Sequence, residues 1–271
     1  MGVNQLRELL QGLRGELACL VVVQSTQGSA PREPGAWMAV FAHHAVGTIG
    51  GGHLEHSAMA EARRRLAGGS GEVQVRYALG PSLGQCCGGV VFLRFEVVAH
   101  GDAARLQQSL RSPAWPVALF GGGHVGHALV RTLAPLPVAL TWIDSRDGVF
   151  PGSPPDDVVC EHSEPVQQAV PALAPGSHVL IMSFSHAEDL EVVAACLRRQ
   201  RERGDLPFIG LIGSQTKWAT FRHRLEQRGF TAQELEQVTC PIGVPGIRGK
   251  QPQVVAIAVA AQLLQRMEAG A

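Results

Sequence analysis

Three consecutive glycines in the second half of the chain link an apolar segment to a helical one. Val117–Phe120 has the character of a buried strand, Gly121-Gly122-Gly123-His124-Val125-Gly126 follows at once, and a helical pattern begins at Ala128. The glycines fit G-x-G-x-x-G in the strand–turn–helix context that this motif requires. They permit a tight turn, close approach of a phosphate, and close packing of the helix on the strand. The pattern predicts a Rossmann-like unit.

The rest of this half alternates between strand and helix patterns, which is typical of a parallel sheet with crossover helices. Further strands are predicted at residues 138–143, 157–160, 178–182 and 208–212. Asp144 follows the first of these, where an acidic side chain can bond a ribose hydroxyl. An alternative is that the glycines serve packing alone, because this fold hosts many functions.

The first half has a different organisation. It is predicted to contain an amphipathic helix at its start, strands joined by turns, and a helix that opens at Gly50-Gly51-Gly52. Ser112-Pro113-Ala114-Trp115-Pro116 is typical of a linker. We therefore expect an α/β protein with a smaller α+β domain over residues 1–112. A doubly wound, Rossmann-like domain with a parallel sheet is expected over residues 113–271.

Two adjacent cysteines lie in Pro81-Ser82-Leu83-Gly84-Gln85-Cys86-Cys87-Gly88-Gly89, between strands predicted at 72–78 and 90–98. Neighbouring cysteines rarely form a disulfide, because their α-carbons and side-chain directions do not suit the bond. The C-x-x-C spacing of zinc sites and zinc deaminases is absent. Spacing alone leaves two alternatives open: a buried thiol of no special role, or a loop that presents Cys86 or Cys87 to a ligand.

Two further turns of the first half have residues suited to anions. Backbone amides near Gly50–Gly52 and the guanidinium of Arg32 are typical phosphate donors. His53, Glu55 and His56 follow the glycines, and the histidines share a helix face. A zinc site would need further ligands, for which no spacing is present. A plain hairpin with a surface arginine, and a solvated helix start, are the alternatives.

Polar residues also follow the later strands of the second half. Ser183-Phe184-Ser185-His186 comes after one strand, and Gly213-Ser214-Gln215-Thr216-Lys217 after the next. His186 and Lys217 are candidates to face the crevice at the carboxyl edge of the sheet. Alternatively, Ser214 caps the next helix and Lys217 is solvated.

Charge and apolar patterning exclude some classes of protein. Lysine plus arginine equals aspartate plus glutamate at 23 each, which argues against a nucleic-acid binder. Apolar runs such as Leu17–Val23 are much shorter than the roughly 20 residues of a membrane span. No secretory leader and no disulfide framework is recognisable, so a reducing cytoplasm is the expected compartment.

Taken together, the motifs resemble those of the XdhC/CoxI family, accessory proteins of molybdenum hydroxylases. The resemblance spans essentially the whole chain. It rests on the segments above, on Gly28-Ser29-Ala30-Pro31-Arg32, on Phe208-Ile209-Gly210-Leu211-Ile212-Gly213-Ser214, and on Cys240-Pro241-Ile242-Gly243. The version with His53 resembles the branch attached to xanthine dehydrogenases.

The resemblance implies a carrier and maturation chaperone rather than an enzyme with turnover of its own. Such a protein binds the molybdenum cofactor (molybdopterin) transiently, supports exchange of an oxo ligand for a sulfide, and passes the product to the molybdenum subunit of xanthine dehydrogenase. A cysteine desulfurase would supply the sulfur, and a homodimer is expected. Soft thiolates suit molybdenum, so Cys86 or Cys87 is the expected metal contact.

The expected contacts to the cofactor can be named by position. They are Arg32, Gly51, Gly52, His53, Glu55, Gln85, Cys86, Cys87, Gly121, Gly123, His124, Gly126, Asp144 and Ser214. The main alternative function is an NAD(P)-dependent oxidoreductase that uses the G-x-G-x-x-G turn and Asp144. It leaves the first domain and the cysteine loop unexplained, so NAD(P) is not the expected cofactor.

Overall fold

The chain divides into two compact units in a computed structural model, Met1–Ser112 and Pro113–Ala271. The structure describes residues 3–80, 88–110, 114–155 and 157–269. Each unit has its own sheet and its own buried clusters, and each is described here by itself.

The first unit is built on a five-stranded antiparallel sheet of order β3-β2-β1-β5-β4. Its strands are β1 (Ala18–Gln27), β2 (Trp37–Val40), β3 (Ala45–Gly47), β4 (Gln74–Ala78) and β5 (Val90–Val98). Its helices are α1 (Val3–Gly12), α2 (Gly52–Leu66) and α3 (Ala103–Ser109). β1 and β2 form a hairpin, so the loop that contains Arg32 is a hairpin connection.

Both faces of this sheet are covered. Cys19, Val21 and Val23 of β1 belong to the cluster that includes Leu54 and Ala58 of α2. Ala18 and Leu20 belong instead to the cluster of α1 and α3, which includes Leu9 and Leu106. The split follows from the period of two in a β-strand, in which successive side chains point to opposite faces.

The second unit is built on a six-stranded parallel sheet of order β11-β10-β9-β6-β7-β8. Its strands are β6 (Trp115–Phe120), β7 (Val138–Asp144), β8 (Val158–His162), β9 (His178–Ile181), β10 (Phe208–Leu211) and β11 (Val238–Thr239). Its helices are α4 (His124–Leu133), α5 (His186–Arg203), α6 (Gln215–Gln227), α7 (Ala232–Leu235) and α8 (Pro252–Ala269). The order of strands reverses between β6 and β9, as in Rossmann folds.

Helices cover this sheet on both faces, which confirms the predicted doubly wound fold. Residues of α5 and α6 pack with Ala118 and Phe120 on one face. Residues of α4 and α8 pack with Val117 and Leu119 on the other. Each central strand is therefore buried on both faces, which explains why it is an unbroken apolar run in the sequence.

Two elements of the second unit have no sequence signal. β11 has only two residues, too few to show a period of two, and it pairs with β10. The connection from β8 to β9 contains a 3-10 helix, Val166–Ala172, with Pro171 inside it. In the ranges that the structure describes, no helix combines the length and apolar character needed to cross a membrane.

Candidate functional site

Two turns of the predicted site pack against each other in the first unit. Gly50 has φ +125°, and a Cβ atom on it would lie 2.6 Å from the Cβ and Cγ atoms of Pro31. Only glycine tolerates both the backbone conformation and this close approach. The hairpin connection with Arg32 and the turn before α2 are therefore neighbours.

The end of the cysteine loop meets the same hairpin connection. A Cβ atom on Gly89 would lie 2.2 Å from the carbonyl oxygen of Ser29. The amide of Leu79 donates to the carbonyl of Gly89 at 2.7 Å, which joins the two ends of the loop. Gln85, Cys86 and Cys87 lie outside the described residues, so their role stays a prediction. Gly89, which follows these residues in the sequence, lies against Ser29.

Glu55 holds the glycine turn from within the chain. Its Oε2 accepts hydrogen bonds from the hydroxyl of Thr48 at 2.5 Å, the amide of Ile49 at 3.1 Å and the amide of Gly51 at 2.9 Å. The amide of Gly50 donates to the Thr48 hydroxyl at 3.1 Å. The expectation that these glycines leave their amides to an anion is therefore wrong for Gly50 and Gly51.

Three side chains of this region remain at the surface. His53 and His56 are exposed on the first turn of α2, with ring centres 6.4 Å apart. Arg32 is paired with the exposed carboxylate of Glu33 at 3.1 Å. Within the described ranges, no group of three or more His, Cys, Asp or Glu side chains is placed to hold a metal ion.

The glycine turn of the second unit has the geometry that its motif predicts. Gly121 has φ +121°, and a Cβ atom there would lie 2.0 Å from the carbonyl oxygen of Met182. A Cβ atom on Gly126 would lie 2.1 Å from the carbonyl oxygen of Gly121, so this glycine lets α4 approach the strand. A Cβ atom on Gly123 would meet nothing within 4 Å, and His124 beside it is exposed. The turn is therefore closely packed at Gly121 and Gly126 and open at Gly123.

Asp144 ends β7 beside this turn and is 2% exposed. Its Oδ2 accepts from the amide of Gly122 at 2.6 Å, and its Oδ1 from the amide of Arg146 at 2.9 Å. The Arg146 guanidinium adds two bonds of 2.9 Å, from Nε to Oδ1 and from Nη2 to Oδ2. Burial alone would raise the pKa of Asp144, but these hydrogen bonds outweigh it and leave the pKa below its usual value. Both oxygens of the expected ribose acceptor already bond to the chain.

Residues after β7 and β9 contact each other above the glycine turn. The Arg146 guanidinium lies over the Phe184 ring, 4.5 Å from its centre. The hydroxyl of Ser145 donates to Glu188 at 2.6 Å, and Glu188 also accepts from the amide of Phe184 at 3.0 Å. Sequence reasoning did not single out Arg146 or Glu188, since neither belongs to a recognisable motif.

Ser214 and Lys217 have roles that only the structure reveals. The hydroxyl of Ser214 accepts from the amide of Lys217 at 3.1 Å and caps α6, as one alternative predicted. The other half of that alternative, a solvated Lys217, is wrong. Its Nζ donates to Asp189 at 2.6 Å and to the carbonyl of Ile212 at 2.8 Å, and its side chain is 10% exposed. Asp189 also accepts from the amide of Ser183 at 2.7 Å, so this buried pair connects the loops after β9 and β10.

The described cysteines are poor candidates for a thiolate at neutral pH. Burial raises the pKa of Cys19 to about 11 and of Cys196 to about 12. Burial also raises the pKa of Cys240 to about 11, although Lys217 opposes the effect, and it raises the pKa of Cys160. Because the thiolate is the metal ligand and nucleophile, none of these four is poised for that chemistry.

Comparison with known proteins fits both units. The family model described as the XdhC Rossmann domain matches residues 117–263, and the model described as the XdhC and CoxI family matches residues 13–78. Over 253 residues, 90% of this chain, the sequence is 27% identical to the uncharacterized protein YqeB of Escherichia coli strain K12. The matched part is 42% of the length of that protein.

A solved structure has the same fold. It is described as a xanthine dehydrogenase from Bacillus halodurans and matches with a TM-score of 0.78 at 19% identity. The match covers 99% of this chain and 96% of the other. At that identity the likeness extends to the fold alone. The two family matches, one of which spans more than half of the 271 residues, show that the chain belongs to the XdhC and CoxI family.

Proposed function

We propose that this chain holds the molybdenum cofactor, supports exchange of its oxo ligand for a sulfide, and delivers it to the molybdenum subunit of a xanthine dehydrogenase. The observation that carries the proposal is the meeting of three motifs in the first unit. Pro31 packs on Gly50, and Ser29 packs on Gly89 at the end of the cysteine loop. Motifs far apart in the sequence thus lie beside one another in the first unit.

The residues of this surface suit such a cargo. Gly51 and Gly88 face open space, since a Cβ atom on either would meet nothing within 4 Å. The partly exposed guanidinium of Arg32 would bind an anionic group. Glu55 keeps the turn in shape, so its proposed part is to position Gly51 and Gly52 rather than to contact the cargo. His53 lies on the same exposed helix start and is a further candidate contact.

The proposed metal contact is a thiolate of Cys86 or Cys87. Thiolates suit molybdenum, which the cofactor presents in a sulfur-rich setting. The four other cysteines have raised pKa values and are held as thiols at neutral pH. This leaves the adjacent pair as the proposed ligands, with a cysteine desulfurase as the sulfur donor. A homodimer is part of the same proposal.

The alternative, an NAD(P)-dependent oxidoreductase, gains no support from the turn. In that reading Asp144 would accept hydrogen bonds from a ribose. Its oxygens instead accept from Gly122 and Arg146. The cofactor's phosphate has two candidate turns, Gly121–Gly126 and Gly50–Gly52, and a phosphate contact at Gly121–Gly126 does not depend on Asp144 as an acceptor.

The test is to express the chain in a host that makes the molybdenum cofactor and to quantify what copurifies. Wild type should retain molybdenum together with a pterin, measured by elemental analysis and by fluorescence after oxidation. The double variant Cys86→Ala/Cys87→Ala should retain at least tenfold less molybdenum and pterin than wild type. The control Cys160→Ala, at a half-buried thiol of β8, should retain the wild-type amount.

Two outcomes would contradict the proposal. If wild type retains no pterin and binds NAD tightly with hydride transfer, the carrier function is wrong. If the double variant keeps the cofactor and still activates xanthine dehydrogenase, the thiol assignment is wrong. Circular dichroism of each variant would establish that its fold is intact.

A further inference from the structure

Arg146 and Phe184 form a cation–aromatic pair at the carboxyl edge of the parallel sheet. The guanidinium carbon lies 4.5 Å from the ring centre, and Phe184 is 66% exposed. An aromatic ring so exposed contributes little to a core, and its apolar surface is available for stacking. The proposed function has assigned neither residue.

The pair lies across the turn that a ligand would use. Arg146 follows β7 and Phe184 follows β9, and these strands flank β6 in the sheet. A contact between them therefore crosses the carboxyl end of β6, where Gly121–Gly123 begin the turn. Open α/β sheets bind ligands at this point, where the strand order reverses.

Asp144 orients the guanidinium of Arg146 but does not occupy all of its hydrogen-bond donors. Its Nε and Nη2 atoms bond to Asp144, while its Nη1 has no hydrogen-bond partner among the described residues. The side chain is 35% exposed. Two contacts to a buried carboxylate fix the plane of the guanidinium and leave donors directed away from Asp144. Asp144 is thus a positioning residue for Arg146.

Unused polar and open positions lie beside the pair. The hydroxyl of Ser183, one residue before Phe184, is buried and has no hydrogen-bond partner among the described residues. Gly123 faces open space. A buried hydroxyl without a partner is unfavourable, so a ligand that bonds to it would remove that cost.

We propose that Arg146 and Phe184 bind a phosphate monoester that carries a planar heterocycle, with Arg146 on the phosphate and Phe184 against the ring. A guanidinium matches phosphate oxygens in two-pronged geometry, and a monoester carries the charge and free oxygens to use it. A dinucleotide fits less well, because its ribose would need the Asp144 oxygens that Arg146 occupies. The inference rests on the proposed function in one respect: the molybdenum cofactor is a pterin with such a phosphate.

The first test needs no molybdenum cofactor. The purified chain is titrated by calorimetry with AMP, which has a planar base and a phosphate monoester, and with adenosine, which lacks the phosphate. Wild type should bind AMP at least tenfold more tightly than adenosine. Equal binding of the two, or no measurable binding of AMP, would overturn the inference. So would NAD binding that exceeds AMP binding and persists in Arg146→Gln.

Variants separate the two halves of the site. Arg146→Gln should weaken AMP binding at least tenfold and leave adenosine unchanged, and Arg146→Lys should be intermediate. Phe184→Ala alters an exposed ring, so the chain should fold, and it should weaken AMP and adenosine by the same factor. Arg131→Gln, at an exposed arginine in the last turn of α4, is the matched control. An Arg146→Gln variant that is folded and binds AMP like wild type would overturn the assignment.

Expression in the cofactor-producing host then tests whether this site binds the proposed cargo. Arg146→Gln should retain at least tenfold less pterin than wild type and Arg131→Gln. If wild type retains pterin and Arg146→Gln retains as much, the inference is wrong and the proposed function stands. If wild type retains none, the proposed function is wrong, and the AMP titration decides the inference by itself.

Discussion

At the scale of single residues, two carboxylates determine the shape of the candidate sites. Glu55 accepts three hydrogen bonds from the turn before α2, and Asp144 accepts four from Gly122 and Arg146. Hydrogen bonds to a charged acceptor are stronger than neutral ones, and the loss of such an acceptor leaves its donors unsatisfied. Both carboxylates therefore stabilise turns that contain at least one glycine with a positive φ value.

Replacement of Asp144 should reveal this contribution through pH. Asp144→Asn should lower the free energy of unfolding at pH 7 by about 2 kcal/mol. This is less than the loss expected on breaking a fully buried ion pair, because Arg146 is partly exposed. The carboxylate stabilises the fold above its unfolded pKa of 3.8, and this is lost as the pH falls through the lowered native pKa. The difference in the free energy of unfolding between wild type and Asp144→Asn should therefore decrease as the pH falls below 3.8.

Urea unfolding followed by tryptophan fluorescence at several pH values would measure this difference. Asp147→Asn, at the fully exposed carboxylate next to Arg146 in the sequence, is the control and should behave like wild type. If this difference in the free energy of unfolding stays constant at the lowest pH measured, Asp144 contributes through packing rather than charge.

At the scale of elements, the turn between β6 and α4 separates two uses of glycine. Gly121 and Gly126 are required by close contacts with backbone carbonyls, whereas Gly123 faces open space with φ −79°. The sequence motif predicts all three glycines but does not show which are structural. The distances to Met182 and to Gly121 itself supply that distinction.

Alanine substitutions at Gly126 and at Gly123 should therefore have different effects. Gly126→Ala should lower the free energy of unfolding by about 2 kcal/mol or more, because its Cβ would lie 2.1 Å from a backbone oxygen that cannot move aside. Gly123→Ala should change stability little and instead weaken AMP binding, since the methyl group would occupy the open side of the turn. Thermal unfolding and the AMP titration, run on both variants, would check this. Equal loss of stability in both would contradict the structural distinction.

Other elements show where sequence patterns were sufficient. The apolar runs of β6, β7, β9 and β10 are long enough to be recognised, and the predicted strands are confirmed with small shifts at their ends. β11 was missed because two residues carry no pattern. The Asp189–Lys217 pair was missed because its partners are far apart in the sequence and meet only when β9 and β10 align.

At the scale of the whole molecule, the buried clusters divide by unit. The clusters around α1, α2 and α3 contain residues up to Leu110, and those around the parallel sheet begin at Trp115. Each unit buries apolar residues on both faces of its own sheet. A self-contained core is the usual requirement for independent folding.

We therefore expect residues 1–112 and 113–271 to fold as separate fragments. Each fragment should show native far-UV and near-UV circular dichroism and a cooperative urea transition. If the 113–271 fragment has helical signal but lacks near-UV signal and a cooperative transition, its core is incomplete without the first unit.

The sequence by itself determined the fold class, the Rossmann-like turn and the resemblance to a family, because these depend on local periodicity and on glycines at fixed spacing. Only the tertiary structure decided what the polar residues do. Glu55 and Asp144 were predicted contacts for a ligand, yet both bond to the chain's own amides, and Asp144 also bonds Arg146. Arg146 and Phe184 became a candidate site because β7 and β9 flank β6, an adjacency that no spacing in the chain encodes.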